Sequence, residues 1–151
     1  MKQSQPIFKE VTSADKAVWI QFRKTLYHGV DDTFHEKEVD LILNDPTKTT
    51  FLIFEKNGDF PVGMLELSLR NVVDGCLTSP VGYIEGIYLD ESTRGLGFGK
   101  AMVDFSKEWA RSKGCSELAC DAELHETEAQ KFHEKMGFKE TYRIVQYKME
   151  V

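Results

Sequence analysis

Apolar positions along the chain change their period several times, and each change marks an element. Thr12 with Asp15 three residues on has the spacing of a capping box; Val18, Phe22 and Leu26 then recur every four residues. This predicts the buried face of a first helix. A second helix is expected over 34–44, stopped ahead of Pro46. "TFLIFEK" (50–56) reads as a strand, "NGD" as a turn and "VGMLELSL" (62–69) as the returning strand. A loop with Asp74, Gly75 and Pro80 leads to a strand over 83–89. Ala101, Met102, Phe105, Trp109 and Ala110 fall at helical spacing, with Gly114 placed to end the helix. A strand at 116–121, a helix at 127–136 closed by Gly137 and a last strand at 142–149 complete the reading. The order β-α-α-β-β-β-α-β-α-β predicts an α/β (α+β) chain: a mixed central sheet flanked by helices, in one domain spanning 1–151.

Composition narrows the picture. A chain of 151 residues with 41% apolar and 29% charged residues is ordinary for one globular domain with a sizeable core. The apolar runs are too short to cross a bilayer, and "MKQSQPIFKE" lacks the apolar stretch of a signal peptide, so a cytoplasmic, membrane-free protein is expected. Cys76, Cys115 and Cys120 are odd in number and form no C-x-x-C, which argues against a disulfide framework or a zinc site. "HETEA" (125–129) breaks the H-E-x-x-H motif at Ala129, and no metal is expected. The net charge of −6 disfavours nucleic acid and suits a cationic partner. The acidic stretch 31–45 reads first as a solvated helix face.

One segment departs from ordinary patterning. In "STRGLGFGK" (92–100) three glycines alternate between a strand and a helix start. Unpaired amides and the positive end of the helix dipole attract anions there. A Rossmann fingerprint would need glycine at Lys100 or Met102, and a Walker A loop would need glycine at Arg94 and Ser or Thr at Ala101. What remains is R-G-x-G-x-G, read as a phosphate loop comprising Arg94, Gly95, Leu96, Gly97, Phe98, Gly99 and Lys100. A ligand-free tight turn is the competing reading.

Two carboxylates stand where chemistry is possible. Glu85 lies inside "YIEGIYL", and strict alternation puts it on one face with Tyr83, Ile87 and Leu89. A carboxylate buried there is costly unless it is paired or used. Asp121 ends the strand 116–121, at the carboxyl end that faces the ligand crevice of an open sheet. A turn or N-cap role would explain it equally well.

The glycine loop resembles the pyrophosphate loop of the GNAT acyl-CoA N-acyltransferases, and "AQKFHEKMGF" (129–138) is similar to a common segment of that superfamily. The element order is also the GNAT order. Within it, "SPVGYIEGIYLDESTRGLGFGKAM", "KGCSELACD" and "RKTLYHGVDD" resemble the aminoglycoside 6'-N-acetyltransferases. The resemblance implies a GNAT fold, acetyl-CoA as co-substrate, an aminoglycoside acceptor and a homodimer. It implies that the backbone of Ile87, Tyr88 and Leu89 pairs with the pantetheine arm, and that Gly86 marks a kink admitting the thioester. It makes Glu85 and Asp121 contacts for the substrate amines, Asp121 the proposed base, and Tyr27 an aromatic acceptor surface. Polyamine or protein-amine acetylation, or acyl-CoA binding without turnover, are the alternatives. Three positions depart from the pattern. His133 replaces a tyrosine placed to protonate the leaving thiolate, which leaves His133, Tyr147 or water as the acid. The loop 70–76 lacks a tyrosine, and Glu126 replaces an asparagine that touches CoA.

Overall fold

The computed structural model describes residues 5–151. Strand β1 (Ile7–Glu10) is followed by helices α1 (Lys16–Leu26) and α2 (Asp32–Leu43). Strands β2 (Lys48–Phe54), β3 (Pro61–Arg70) and β4 (Val81–Leu89) then form a meander. Helix α3 (Phe98–Ser112), strand β5 (Leu118–Cys120) and helix α4 (Thr127–Lys135) complete the regular elements. The sheet order is β1-β2-β3-β4-β5, antiparallel throughout except for the parallel β4–β5 pair. The mixed sheet flanked by helices is the expected architecture.

Local chemistry explains the boundaries. Thr12 and Asp15 form the predicted capping box, closing a 3-10 turn that leads into α1. Asp31 caps α2 by accepting from the Phe34 amide at 2.8 Å. The acidic stretch is an exposed helix face, as read, with surface pairs along it: Asp32 meets Lys24, Asp40 meets Lys16, and Asp45 accepts from Thr47.

Each face of the sheet buries its own core. Ile53, Leu65, Leu67 and Ile84 meet Phe98, Met102 and Trp109 of α3 on one side. Leu52 and Met64 meet Trp19, Phe22, Val39 and Ile42 of α1 and α2 on the other. The alternating strand pattern therefore serves two apolar layers, not one layer and solvent.

Two expectations are corrected. The 83–89 strand does not alternate strictly. Glu66 pairs with Gly86 and Leu67 with Ile84, so Glu85 is an extra residue on β4. This bulge resets the faces. Tyr83 and Glu85 lie toward α1, whereas Ile87 and Leu89 turn into the α3 core. The last predicted strand is also absent: residues 142–149 form no regular element, with Tyr147 91% and Met149 86% exposed. A strand needs a neighbour to take its backbone hydrogen bonds, and the alternating pattern found none among the described residues.

Candidate active site

The sheet opens at the carboxyl ends of β4 and β5. Their parallel pairing runs from Gly82–Leu118 to Ile84–Cys120, where β5 stops. β4 continues five residues further, to Leu89. From Glu85 onward, the β4 edge that faces β5 has no strand partner and can take an extended ligand along its backbone. The side chains of Ile87 and Leu89 are packed into one core and Tyr88 against the other. With these side chains partly buried, the main chain is the part that an extended ligand would pair with.

The glycine loop follows directly. Gly95 and Gly97 have φ of 77° and 85°, a left-handed conformation in which a side chain is strained. Gly97 is the N-cap of α3 and supplies no side-chain cap. The first turn carries no acidic residue. Its amides and dipole are left to an anion, so the loop fits a pyrophosphate. The third glycine has another cause. A Cβ on Gly99 would sit 2.7 Å from the Phe132 ring, so Gly99 lets α4 pack against α3. Phe98 is 1% exposed and anchors the loop in the core, while Leu96 stays half exposed. Arg94 donates to the Leu89 carbonyl at 3.1 Å, bracing the loop against the strand end. Lys100 pairs with Asp104 at 2.6 Å on the solvent side, so a ligand phosphate would compete with that carboxylate.

Glu85 and Asp121 reach the same region by different routes. The bulge projects Glu85 onto the α1 side of the sheet. There its Oε1 accepts from Ser68 Oγ at 2.6 Å and Arg70 Nε at 3.0 Å, and its Oε2 accepts from Arg70 at 2.8 Å. The Arg70 guanidinium lies 3.5 Å over the Tyr83 ring. Tyr83 in turn donates to Asp121 Oδ2 at 2.6 Å. Burial, then the Asp121 carboxylate, pushes the Tyr83 phenol well above its ordinary range, so it stays protonated. The second oxygen of Asp121 remains for another donor.

Tyr27 is less an open platform than the sequence implies. Its hydroxyl is 2.9 Å from Glu66 Oε1 and 3.1 Å from the Glu85 carbonyl oxygen, which ties α1 to the bulge. Burial, followed by the charge of Glu66, drives this phenol up as well. Glu66 is buried, and it also accepts from Trp19 Nε1 and Arg23. Sequence reasoning missed Arg23, Glu66, Ser68 and Arg70. The signal was present: Glu66, Ser68 and Arg70 alternate along β3 and share its α1-facing side.

The two side-chain candidates for a general acid separate. His133 is half-buried on α4, lines the same cavity as Tyr83 and Asp121, and has a buried Nδ1 without a protein partner. Burial lowers its basicity, opposed by the charge and backbone of Asp121. Tyr147 stands in solvent. Glu126 precedes α4 without capping it.

The sequence matches the acetyltransferase (GNAT) family over residues 14–138. The chain belongs to this family. The aminoglycoside N(6')-acetyltransferase type 1 of Stenotrophomonas maltophilia is 36% identical over 150 residues, covering 99% of this chain and 96% of the relative. The enzyme of the same name from Serratia marcescens is 37% identical over 131 residues, covering 86% and 89%. The solved structure of AAC(6')-Iy with the bisubstrate analogue CoA-S-monomethyl-acetylneamine superposes on this GNAT fold with a TM-score of 0.87. It is 30% identical over 98% of this chain and 100% of that one. The aminoglycoside 6'-N-acetyltransferase AAC(6')-Ih from Acinetobacter baumannii gives the same TM-score at 27% identity, over 97% of this chain and 99% of that one.

Proposed function

We propose that this GNAT domain transfers acetyl from acetyl-CoA to the 6'-amine of aminoglycosides by direct attack. One observation supports the reading: Glu85 on the β4 bulge and Asp121 just past the end of β5 are linked through Arg70 and Tyr83 beside the stretch of β4 that β5 leaves unpaired. Donor and cationic acceptor can then meet at the bulge.

Each group has a definable task. The amides after Gly97 would hold the pyrophosphate, and the free edge of β4 would align the pantetheine arm. A primary amine with a pKa of about 10.4 is neutral in roughly one molecule per thousand at pH 7. Carboxylates that hold its ammonium form make the proton harder to lose. Glu85 and Asp121 are therefore binding groups first. Base action by Asp121 is the second step of the proposal, through its free oxygen or an ordered water. His133, whose basicity burial lowers, would have to take up a proton, for instance the one released at Asp121, before it could pass one to the thiolate; water is the other donor.

The enzyme works as a homodimer in this reading. Tyr142, Ile144, Val145, Tyr147 and Met149 are exposed in a segment without regular structure, and among the described residues the outer edge of β5 has no strand partner. A second copy can satisfy both. No helix among the described residues is long and apolar enough to cross a membrane, and acetyl-CoA use favours a cytoplasmic location. The test is thiol release from acetyl-CoA across kanamycin-type acceptors with a 6'-amine, their 6'-hydroxyl counterparts, spermidine and a lysine peptide. The 6'-amine compounds should be preferred by about a hundredfold or more over the hydroxyl ones, which lack the nucleophile. A preference for spermidine or peptide would replace the assigned substrate.

A further inference from the structure

Two cavities adjoin the bulged stretch of the sheet. The smaller, about 430 Å³, is walled by Tyr27, Glu38, Glu66, Ser68 and Glu85. The larger, about 730 Å³, is walled by Tyr83, Asp121, His133 and the segment 138–144. Arg70 is the one lining residue they share. Its guanidinium forks onto Glu85 on one side and stacks on Tyr83 on the other.

We infer that Arg70 is a resident counter-cation that closes the passage between these cavities and is displaced from Glu85 by the ammonium of a multi-ring acceptor. The inference rests on the cationic-acceptor reading above and adds how the cleft is opened. A guanidinium and an ammonium compete for the same carboxylate; of the others nearby, Glu38 meets Arg23 only at 3.7 Å and Asp121 keeps one open oxygen. Tyr83 already occupies one oxygen of Asp121, and Glu66 is filled by Arg23, Trp19 and Tyr27.

The geometry suits exchange. The Arg70 side chain is 41% exposed, so on leaving Glu85 it regains water without unfolding anything. Guanidinium is weakly hydrated and stacks well on an aromatic face, which makes it a fitting plug while the site is empty. Ser68 stays behind, its hydroxyl 2.6 Å from Glu85 Oε1. The carboxylate thus keeps its orientation when the cation changes. Arg70 is also the last residue of β3, so its movement needs no change inside the strand. A single aminosugar held at Asp121 lies within the larger cavity and leaves Arg70 in place. An acceptor of two rings reaches into the smaller cavity and must take over Glu85.

The experiment compares the parent with Arg70→Met, which keeps much of the apolar stem and removes the charge. Neamine, a two-ring acceptor, should show a KM lower by about fivefold, the scale of one partly exposed ion pair. For 6-amino-6-deoxyglucose, one ring with the same amine, and for acetyl-CoA, KM should hold. Arg70→Lys, which keeps the charge without the fork, should fall between parent and Arg70→Met for neamine. The parent itself provides a readout independent of folding defects. In its ¹⁵N spectrum the Arg70 Nε–H signal should be slowly exchanging when free and lose that protection on saturation with neamine, not with the aminosugar. A raised or unchanged neamine KM in folded Arg70→Met, or an Nε–H that stays protected at saturation, overturns the inference. Failure of the parent to acetylate any cationic acceptor would instead overturn the underlying functional reading.

Discussion

Gly86 is the point at which the bulge and the buried network meet beside the proposed acceptor site, and its replacement by alanine tests that junction. Gly86 does not have a left-handed backbone, so alanine is conformationally permitted and any cost is steric. Its Cβ would lie 2.1 Å from the Tyr27 hydroxyl oxygen, 3.1 Å from Tyr27 Cζ and 3.2 Å from Glu66 Oε1. Tyr27 must therefore move, giving up its contacts with Glu66 and the Glu85 carbonyl. Overpacking costs about 1–3 kcal/mol, and the loss of a hydrogen bond to a charged group about 1.5–3 kcal/mol. Gly86→Ala should then lose about 3–4 kcal/mol, since the two costs overlap in part. Tyr27→Phe alone should lose about 1–2 kcal/mol, because Arg23 and Trp19 still satisfy Glu66. In the double variant the clashing oxygen is gone, and only the milder contacts with the ring carbon at 3.1 Å and Glu66 Oε1 at 3.2 Å remain. The pair should therefore be less destabilised than the sum of the singles, by about 1–3 kcal/mol. Urea denaturation at constant m-value measures this directly. Turnover should follow the same cycle, falling in Gly86→Ala and recovering in part in the double variant. Stability losses that add to within about 0.5 kcal/mol would refute the reasoning.

Other outcomes follow from the same geometry. Acetyl-CoA alone should raise Tm by mass action, and Gly97→Val, which strains a φ of 85°, should remove that shift; a folded variant with the shift intact excludes the loop from the donor site. Glu85→Gln should raise KM for a cationic acceptor by about tenfold while changing KM for acetyl-CoA little, and equal effects would make Glu85 structural. Asp121→Asn should lower kcat/KM for 6'-amines by more than about tenfold: a loss mainly in KM marks binding, and a fall in kcat marks proton transfer. The His133 imidazole is held below its ordinary value, so it contributes stability that is present above the unfolded value of about 6.5 and lost as pH falls through the folded one. Denaturation midpoints of His133→Gln should accordingly fall less than the parent's on acidification below about pH 6.5, and parallel pH curves would count against the buried neutral imidazole.

Legibility differed by the range of the interactions involved. Helices α1 and α3 were readable because their apolar spacing and end residues are local. The glycine loop was readable for the same reason: positive φ at Gly95 and Gly97 is a property of single residues. The role of Gly99 was not, because its cause is Phe132, thirty-odd residues away and on another helix. The bulge at Glu85 was hidden by a sequence that alternates well on paper. One extra residue changes which neighbours face Tyr83 and Ile87, and only the pairing with β3 reveals it. The final segment shows the opposite failure. Residues 142–149 have strand composition, but composition cannot supply the strand that must pair with them.

The carboxylates follow the same logic. Glu85 was identifiable as a costly charge inside a strand and Asp121 as a carboxylate at a strand end, yet their contacts depend on partners the sequence does not adjoin. Arg70 and Ser68 on β3 hold Glu85, while Tyr83 on β4 holds Asp121. Because burial and Asp121 keep the Tyr83 phenol protonated, it is a permanent donor and cannot itself accept the amine's proton. Any proton that Asp121 takes must come through its other oxygen. A site arranged in this way presents one filled and one open position on Asp121, and a carboxylate already answered by a cation at Glu85. Such an arrangement favours a ligand that brings its own positive charge to each of them. In the proposed function the acceptor would be recognised by where its ammonium groups lie, more than by the total acidity of the protein.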